Sequence, residues 1–182
     1  LFSLVWLLTS PPLNILYFVS TLFYLLVQYI IGYRKKITYK NLTLSFPEKS
    51  EKEIKVIMKK FYKHLCDFSI ESLKPIHFTQ KQLDKRLKYD NTEIFEDLYN
   101  KKKDIALVSG HYGNWEWIGN LPSKLKHKLL IIYRPLKVKF IDKMVFDNRS
   151  KFGTIMIPMK EIYKEILKYK KRNEQIIVWF LV

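Results

Sequence analysis

The chain has 182 residues, 48% hydrophobic and 15% aromatic, with 5 Gly and 7 Pro; this provides for a packed core and excludes a disordered or collagen-like polymer. A single Cys excludes an internal disulfide framework and a thiolate metal cluster. The balance of 33 Lys and Arg against 17 Asp and Glu leaves a net charge of +16, which favours an anionic partner: nucleic acid, an anionic membrane surface or an acidic protein.

Leu1 to Tyr33 contain no Asp, Glu, Lys, Arg or His, so the whole net charge sits on residues 34–182. Pro11 and Pro12 interrupt this neutral segment, and Leu13 to Ile31 follow as a mostly apolar run. At ~1.5 Å rise per residue the run is about long enough to cross a ~30 Å hydrocarbon layer. Tyr17, Tyr24, Tyr29 and Tyr33 suit a headgroup region. Arg34, Lys35, Lys36 and Lys40 come next, and the positive-inside rule then puts the rest of the chain on the cytoplasmic side. A signal peptide would carry its basic run before the apolar one. A buried core helix, or an in-plane or re-entrant anchor made of two arms divided at Pro11-Pro12, remains open. The expected organisation is a hydrophobic membrane anchor over 1–33 and a second, C-terminally incomplete domain over 34–182. Leu at position 1 leads us to expect a native N-terminus further upstream.

Ser50 and Glu53 form a capping-box pattern ahead of a helix over Glu51 to Leu73, whose apolar residues recur every three or four positions until Pro75. His64, Cys66 and Asp67 fall on this helix without partner spacing and read as packing or surface groups. His77 and His127, in Lys-rich surroundings, read as solvated. Beyond Asn91 helix and strand alternate. The pattern gives a helix over Glu93 to Lys101, a strand over Asp104 to Ser109, and a helix over Trp115 to Leu125 despite Pro122. A strand over Leu129 to Tyr133 precedes a helix over Phe140 to Lys151 with Gly153 at its cap. Thr154 to Ile157 is a strand, Lys160 to Lys171 a helix and Gln175 to Leu181 a strand. The expected fold is α/β: a mostly parallel sheet flanked by helices, preceded by the hydrophobic helix. A buried parallel strand at the very end of the sequence leads us to expect a longer chain.

In such sheets functional groups collect beyond the carboxyl ends of the strands. The first strand runs into Gly110-His111-Tyr112-Gly113-Asn114-Trp115-Glu116-Trp117. The two glycines permit a sharp turn that exposes an imidazole, with a carboxylate in the first turn of the next helix. Glu116 is placed to accept a hydrogen bond from one ring nitrogen of His111, leaving the other to take a proton from a hydroxyl. No Ser or Cys lies in the turn, so the hydroxyl belongs to a substrate. Spacing alone carries little, because 4 His among 17 acids often meet by chance; a capping His with an unrelated Glu is the alternative. One His and one carboxylate are too few ligands for zinc, and no metal is expected.

The segment from Leu107 to Glu116 resembles the signature of the lysophospholipid acyltransferase superfamily, and within it the lipid A biosynthesis (lauroyl/myristoyl) acyltransferase branch. Gly32-Tyr33-Arg34, Asn41-Leu42, Ser45-Phe46-Pro47, Phe61-Tyr62, His64-Leu65, Tyr133-Arg134-Pro135 and the run Asn148 to Gly153 resemble that branch in the same order. The resemblance implies a membrane enzyme of the cytoplasmic face of the bacterial inner membrane. It would move a fatty acyl chain from an acyl-carrier-protein or coenzyme A thioester to a lipid hydroxyl, with no other cofactor. His111 would be the general base and Glu116 its orienting partner, the two carrying the HX4E motif. Arg149 matches an arginine associated with catalysis or phosphate recognition, and Arg134 one that often faces substrate. The family commonly has a further Arg where this chain has Lys151, which would weaken a bidentate phosphate contact to a point charge. An Asp-containing motif of the family lies beyond Val182.

A thioester carries its own leaving group, so such a site needs a base, an oxyanion holder and an apolar groove. The backbone N–H groups of Gly113 and Asn114, or the Arg149 cation, are the candidates for the oxyanion. Two other readings stay open: a non-catalytic binder of membrane surfaces or nucleic acid, and a lipid hydrolase using the same His and Glu on water. No helix-turn-helix, zinc-finger or RNA-binding motif supports a nucleic-acid partner.

Overall fold

The computed structural model describes residues 2–182, with side chains from Val5 onward. The chain divides into two compact units, with the division between Lys74 and Pro75.

The first unit is helical. α1 (Phe2–Thr9) stops at Ser10-Pro11-Pro12, and α2 (Leu13–Leu25) continues through a π-helical turn, Leu26–Ile31. Gly32 ends that turn in the left-handed region at φ +63°, a conformation cheap only for glycine. α3 (Lys35–Ser45) and α4 (Glu51–Glu71) complete the unit. The capping box forms as the sequence indicates: Ser50 Oγ accepts from the Glu53 N–H, and Glu53 Oε2 accepts from the Ser50 N–H at 2.9 Å. α4 buries Ile54, Met58, Tyr62 and Cys66 at four-residue spacing, and Val27 joins the last three in one apolar cluster.

The second unit is the α/β body. A 3₁₀ turn (Lys74–His77), α5 (Gln80–Asp84) and α6 (Glu93–Asn100) lead into β1 (Ile105–Ser109). A 3₁₀ segment (Trp115–Lys124), β2 (Lys128–Tyr133), α7 (Lys139–Ser150), β3 (Ile155–Pro158), α8 (Ile162–Lys171) and β4 (Ile176–Leu181) follow. All four strands are parallel in the order β1-β4-β2-β3. The sheet is covered on both faces. Leu129, Ile131, Met156, Ile177 and Trp179 meet Leu121 on one side. On the other, Leu130, Ile157, Ile176 and Val178 meet Ile162 and Ile166 of α8. Burial on both faces explains the continuous apolar runs of β2 and β4.

The alternating elements expected from the sequence are present with ends shifted by a residue or two. Trp115–Lys124 is 3₁₀ rather than α, since Gly119 and Pro122 weaken the α pattern and Pro122 has no N–H to give. α3 and α5 carry too few apolar residues to announce themselves by periodicity. His127 corrects the expectation of a solvated side chain: it is buried, with Nε2 3.0 Å from Lys103 O and its ring edge-on to Tyr99. The neighbouring lysines reach solvent at their tips while the imidazole turns inward. His77 is likewise half-buried.

Candidate active site

Because the strands are parallel, the segments that follow all four leave the same edge of the sheet. Gly110 to Asn114 follow β1, Arg134 follows β2, and Val182 follows β4. The pairing of β1 with β4 holds Ser109 opposite Leu181, and the Val182 N–H extends the ladder to Ser109 O at 2.9 Å. Trp179 Nε1 donates to Ser109 Oγ at 2.6 Å and fixes the tip of β1 from beneath. The turn depends on Gly113, which sits at φ +59°. A Cβ there would meet no atom within 4 Å, so conformation and not space selects glycine.

His111 projects into solvent from this turn, with its ring edge-on to Trp115 at 4.7 Å between centroids. Its Nδ1 lies 3.1 Å from the Val182 backbone oxygen. That oxygen can only accept, so in neutral His111 the proton sits on Nδ1 and Nε2 keeps its lone pair.

Glu116 is placed differently from the sequence expectation. Both its oxygens are taken by Arg149: Nε donates to Oε2 at 2.7 Å and Nη2 to Oε1 at 2.5 Å. The pair is largely shielded, with side-chain exposures of 12% for Glu116 and 25% for Arg149. A bidentate guanidinium–carboxylate contact is among the strongest side-chain hydrogen-bond geometries. In this conformation, then, the carboxylate serves Arg149, and the imidazole is oriented by a main-chain oxygen. Sequence reasoning coupled Glu116 to its neighbour in the chain because no periodicity links residue 116 to residue 149.

Gly119 favours the close approach. A Cβ there would lie 3.3 Å from Arg149 O, so a larger residue would push the 3₁₀ segment and the last turn of α7 apart by a few tenths of an ångström. Thr154 Oγ1 donates to Gly119 O at 3.1 Å and ties the same segment to the start of β3. A small cavity of about 40 Å³ is lined by Glu116, Arg149, Trp115, Gly119, Ile131 and Trp179 among others. Gly119 and Thr154 were missed from the sequence; a lone glycine inside a helical pattern was the available signal.

Arg134 is exposed just past β2. Lys151 has another task than phosphate contact. Its ammonium donates to Pro75 O at 3.1 Å, Ile76 O at 2.7 Å and Phe78 O at 2.8 Å, which occupies all three of its N–H groups. Burial pushes its pKa down. Lys151 is thus a strut that collects the carbonyls around the 3₁₀ turn Lys74–His77. The Cys66 thiol is buried and its pKa is pushed up, the opposite of an activated nucleophile. Among the described residues, no group of three or more His, Cys, Asp or Glu converges as a metal site would require.

Residues 2–182 match the family model described as bacterial lipid A biosynthesis acyltransferase. The chain is 24% identical over 178 residues to the lipid A biosynthesis lauroyltransferase of Escherichia coli strain K12, covering 98% of this chain and 57% of that protein. It therefore spans a little over half the length of that curated relative.

Proposed function

The chain belongs to the bacterial lipid A biosynthesis acyltransferase family, and from that premise we propose that the full-length protein transfers a fatty acyl chain from a thioester to a hydroxyl of a lipid A precursor or related membrane glycolipid. The donor is an acyl-carrier-protein or coenzyme A thioester, and the reaction takes place at the cytoplasmic face of the inner membrane. The observation that carries this reading is an imidazole exposed at the carboxyl edge of a parallel sheet, with Nδ1 against a main-chain oxygen and Nε2 left to accept a proton.

His111 Nε2 takes the proton from the acceptor hydroxyl as that oxygen attacks the thioester carbonyl carbon. The carbonyl oxygen becomes an oxyanion, met by the backbone N–H groups of Gly113 and Asn114. The tetrahedral intermediate collapses by breaking the C–S bond, and the imidazolium returns its proton to the departing thiolate. The products are an acyl ester and a thiol.

Arg149 is the anion contact in this scheme. Glu116 uses its Nε and Nη2, so Nη1 is left to meet a phosphate or the oxyanion, and the carboxylate fixes the direction of the guanidinium plane. Arg134 supplies a second, exposed cation for an anionic substrate. The His111–Glu116 dyad implied by the motif requires the carboxylate to serve the imidazole as well as, or instead of, Arg149. The net charge of +16 favours encounter with phosphorylated lipid or an acidic carrier protein.

The test is product analysis. The full-length protein is incubated with an acyl thioester and a phosphorylated glycolipid, and the lipids are read by mass spectrometry. Gain of one acyl ester with equimolar thiol supports transfer. Free fatty acid with unchanged glycolipid refutes it in favour of hydrolysis.

A further inference from the structure

Leu13–Ile31 is long and apolar enough to cross a membrane by length and composition, yet one of its two faces is committed to polar partners. Ser20, fully buried, donates to Asp67 Oδ1 at 2.6 Å, and Tyr17 donates to Glu71 Oε1 at 2.5 Å. At the far end Tyr62 donates to Tyr33 O at 2.5 Å. The ammonium of Lys74, 5% exposed, donates to the carbonyls of Thr9, Ser10 and Pro11 at 2.9, 3.0 and 2.6 Å, around the junction of α1 and α2. Asp67 is also paired with Lys63. Thus α4 runs along α2 and brings charged groups with it. The other face is wholly apolar or aromatic from Ile15 to Ile31, with Ile15, Phe18, Leu22, Phe23 and Ile30 each more than half exposed. A patch of that extent is not left to water without a partner.

We propose that residues 3–74 are a monotopic membrane-binding module in which α2 lies in the plane of the interface, its outer face sunk into one leaflet of an anionic bilayer, and does not cross. The inference rests on the membrane-lipid acceptor proposed above. If α2 crossed with Arg34 at one surface, Ser20 and Tyr17 would stand roughly 21 and 25 Å into a ~30 Å hydrocarbon layer. Their partners Asp67 and Glu71, together with Lys63, would be carried into the hydrocarbon with them, where charged side chains are disfavoured, while Lys74, held at residues 9–11, would come out past the far surface. With α2 in the plane, all four stay on the aqueous side of the helix while the apolar face is covered. Charge complementarity names the lipid class. Where the π-helical turn Leu26–Ile31 ends, a cleft of about 710 Å³ has Ile37 and Met58 in its wall and Arg34, Lys35, Lys36 and Lys55 around it. That combination suits an anionic headgroup above its acyl chains.

The experiment uses the full-length protein with Cys66→Ala and single nitroxide-labelled cysteines at Phe18, Leu22 or Ile30, bound to phosphatidylethanolamine–phosphatidylglycerol vesicles. Power saturation is expected to place all three labels at one shallow depth of roughly 5–10 Å. A profile that passes through the bilayer centre at Leu22 overturns the in-plane mode while leaving membrane binding intact. Labels that all remain in water overturn the lipid surface altogether. Neither result bears on acyl transfer, which product analysis of the same preparation decides. With the native cysteine retained, Lys35→Gln combined with Lys36→Gln is expected to weaken vesicle binding roughly thirtyfold. Unchanged affinity counts against the anionic headgroup contact.

Discussion

Replacing Glu116 by Gln keeps the shape of the side chain and removes its charge, which separates two roles for one carboxylate. In the structure both oxygens accept from Arg149, at 2.7 and 2.5 Å, and the pair is 12% and 25% exposed. Hydrogen bonds to charged groups contribute about 1.5–3 kcal/mol, and breaking a fully buried pair costs about 3–5 kcal/mol. Partial exposure puts this pair near the lower end, at about 2 kcal/mol. For a unit of about 110 residues that corresponds to a fall in Tm of roughly 9 °C. A double-mutant cycle with Arg149→Gln, followed by thermal unfolding, isolates the coupling. The cycle is expected to return about 2 kcal/mol, and a coupling within ~0.3 kcal/mol of zero would refute the pairing. Steady-state kinetics then report on chemistry. If Glu116 acts through Arg149, Glu116→Gln raises KM and leaves kcat in place. If it also stabilises the imidazolium, kcat falls in the variant.

Four further outcomes are expected. Gly113→Ala, at φ +59° with open space around it, costs about 1–2 kcal/mol from backbone strain alone, readable by denaturant unfolding. Lys151→Met leaves the carbonyls of Pro75, Ile76 and Phe78 without their shared donor; hydrogen exchange of residues 75–78 is expected to quicken while substrate KM stays put, and a raised KM with unchanged exchange would restore a phosphate-binding role. Ser50→Ala removes one half of the capping box and lowers stability by about 1 kcal/mol in a thermal melt. Burial raises the pKa of Tyr89 above its ordinary value near 10. A raised folded-state pKa gives stability that is complete below pH ~10 and declines above it, as the unfolded phenol ionises first, so Tyr89→Phe should flatten the alkaline limb of the stability curve.

The sheet and its helices were legible because strands buried on both faces write continuous apolar runs, and glycine and proline mark their ends. The edge position of His111 followed from strand order without knowledge of side chains. What the sequence withheld is contact between distant segments. The approach of Glu116 to Arg149 brings together segments 33 residues apart with Gly119 packed close to α7, and three carbonyls gathered by Lys151 exist only once the 3₁₀ turn has formed. His127 looked solvated since its neighbours are lysines, whereas the ring itself turns beneath Tyr99. The apolar run at Leu13–Ile31 read as one uniform stretch, because nothing in its own sequence separates the face that meets Asp67 and Glu71 from the face left open.

The most direct measurement of the central claim is acyl transfer by the full-length protein carrying His111→Ala, with circular dichroism alongside. His111 is exposed, so the fold and melting temperature should survive, and the loss of the base should slow transfer about 10²–10⁴-fold. A well-folded variant that still acylates the glycolipid at the native rate would contradict the account.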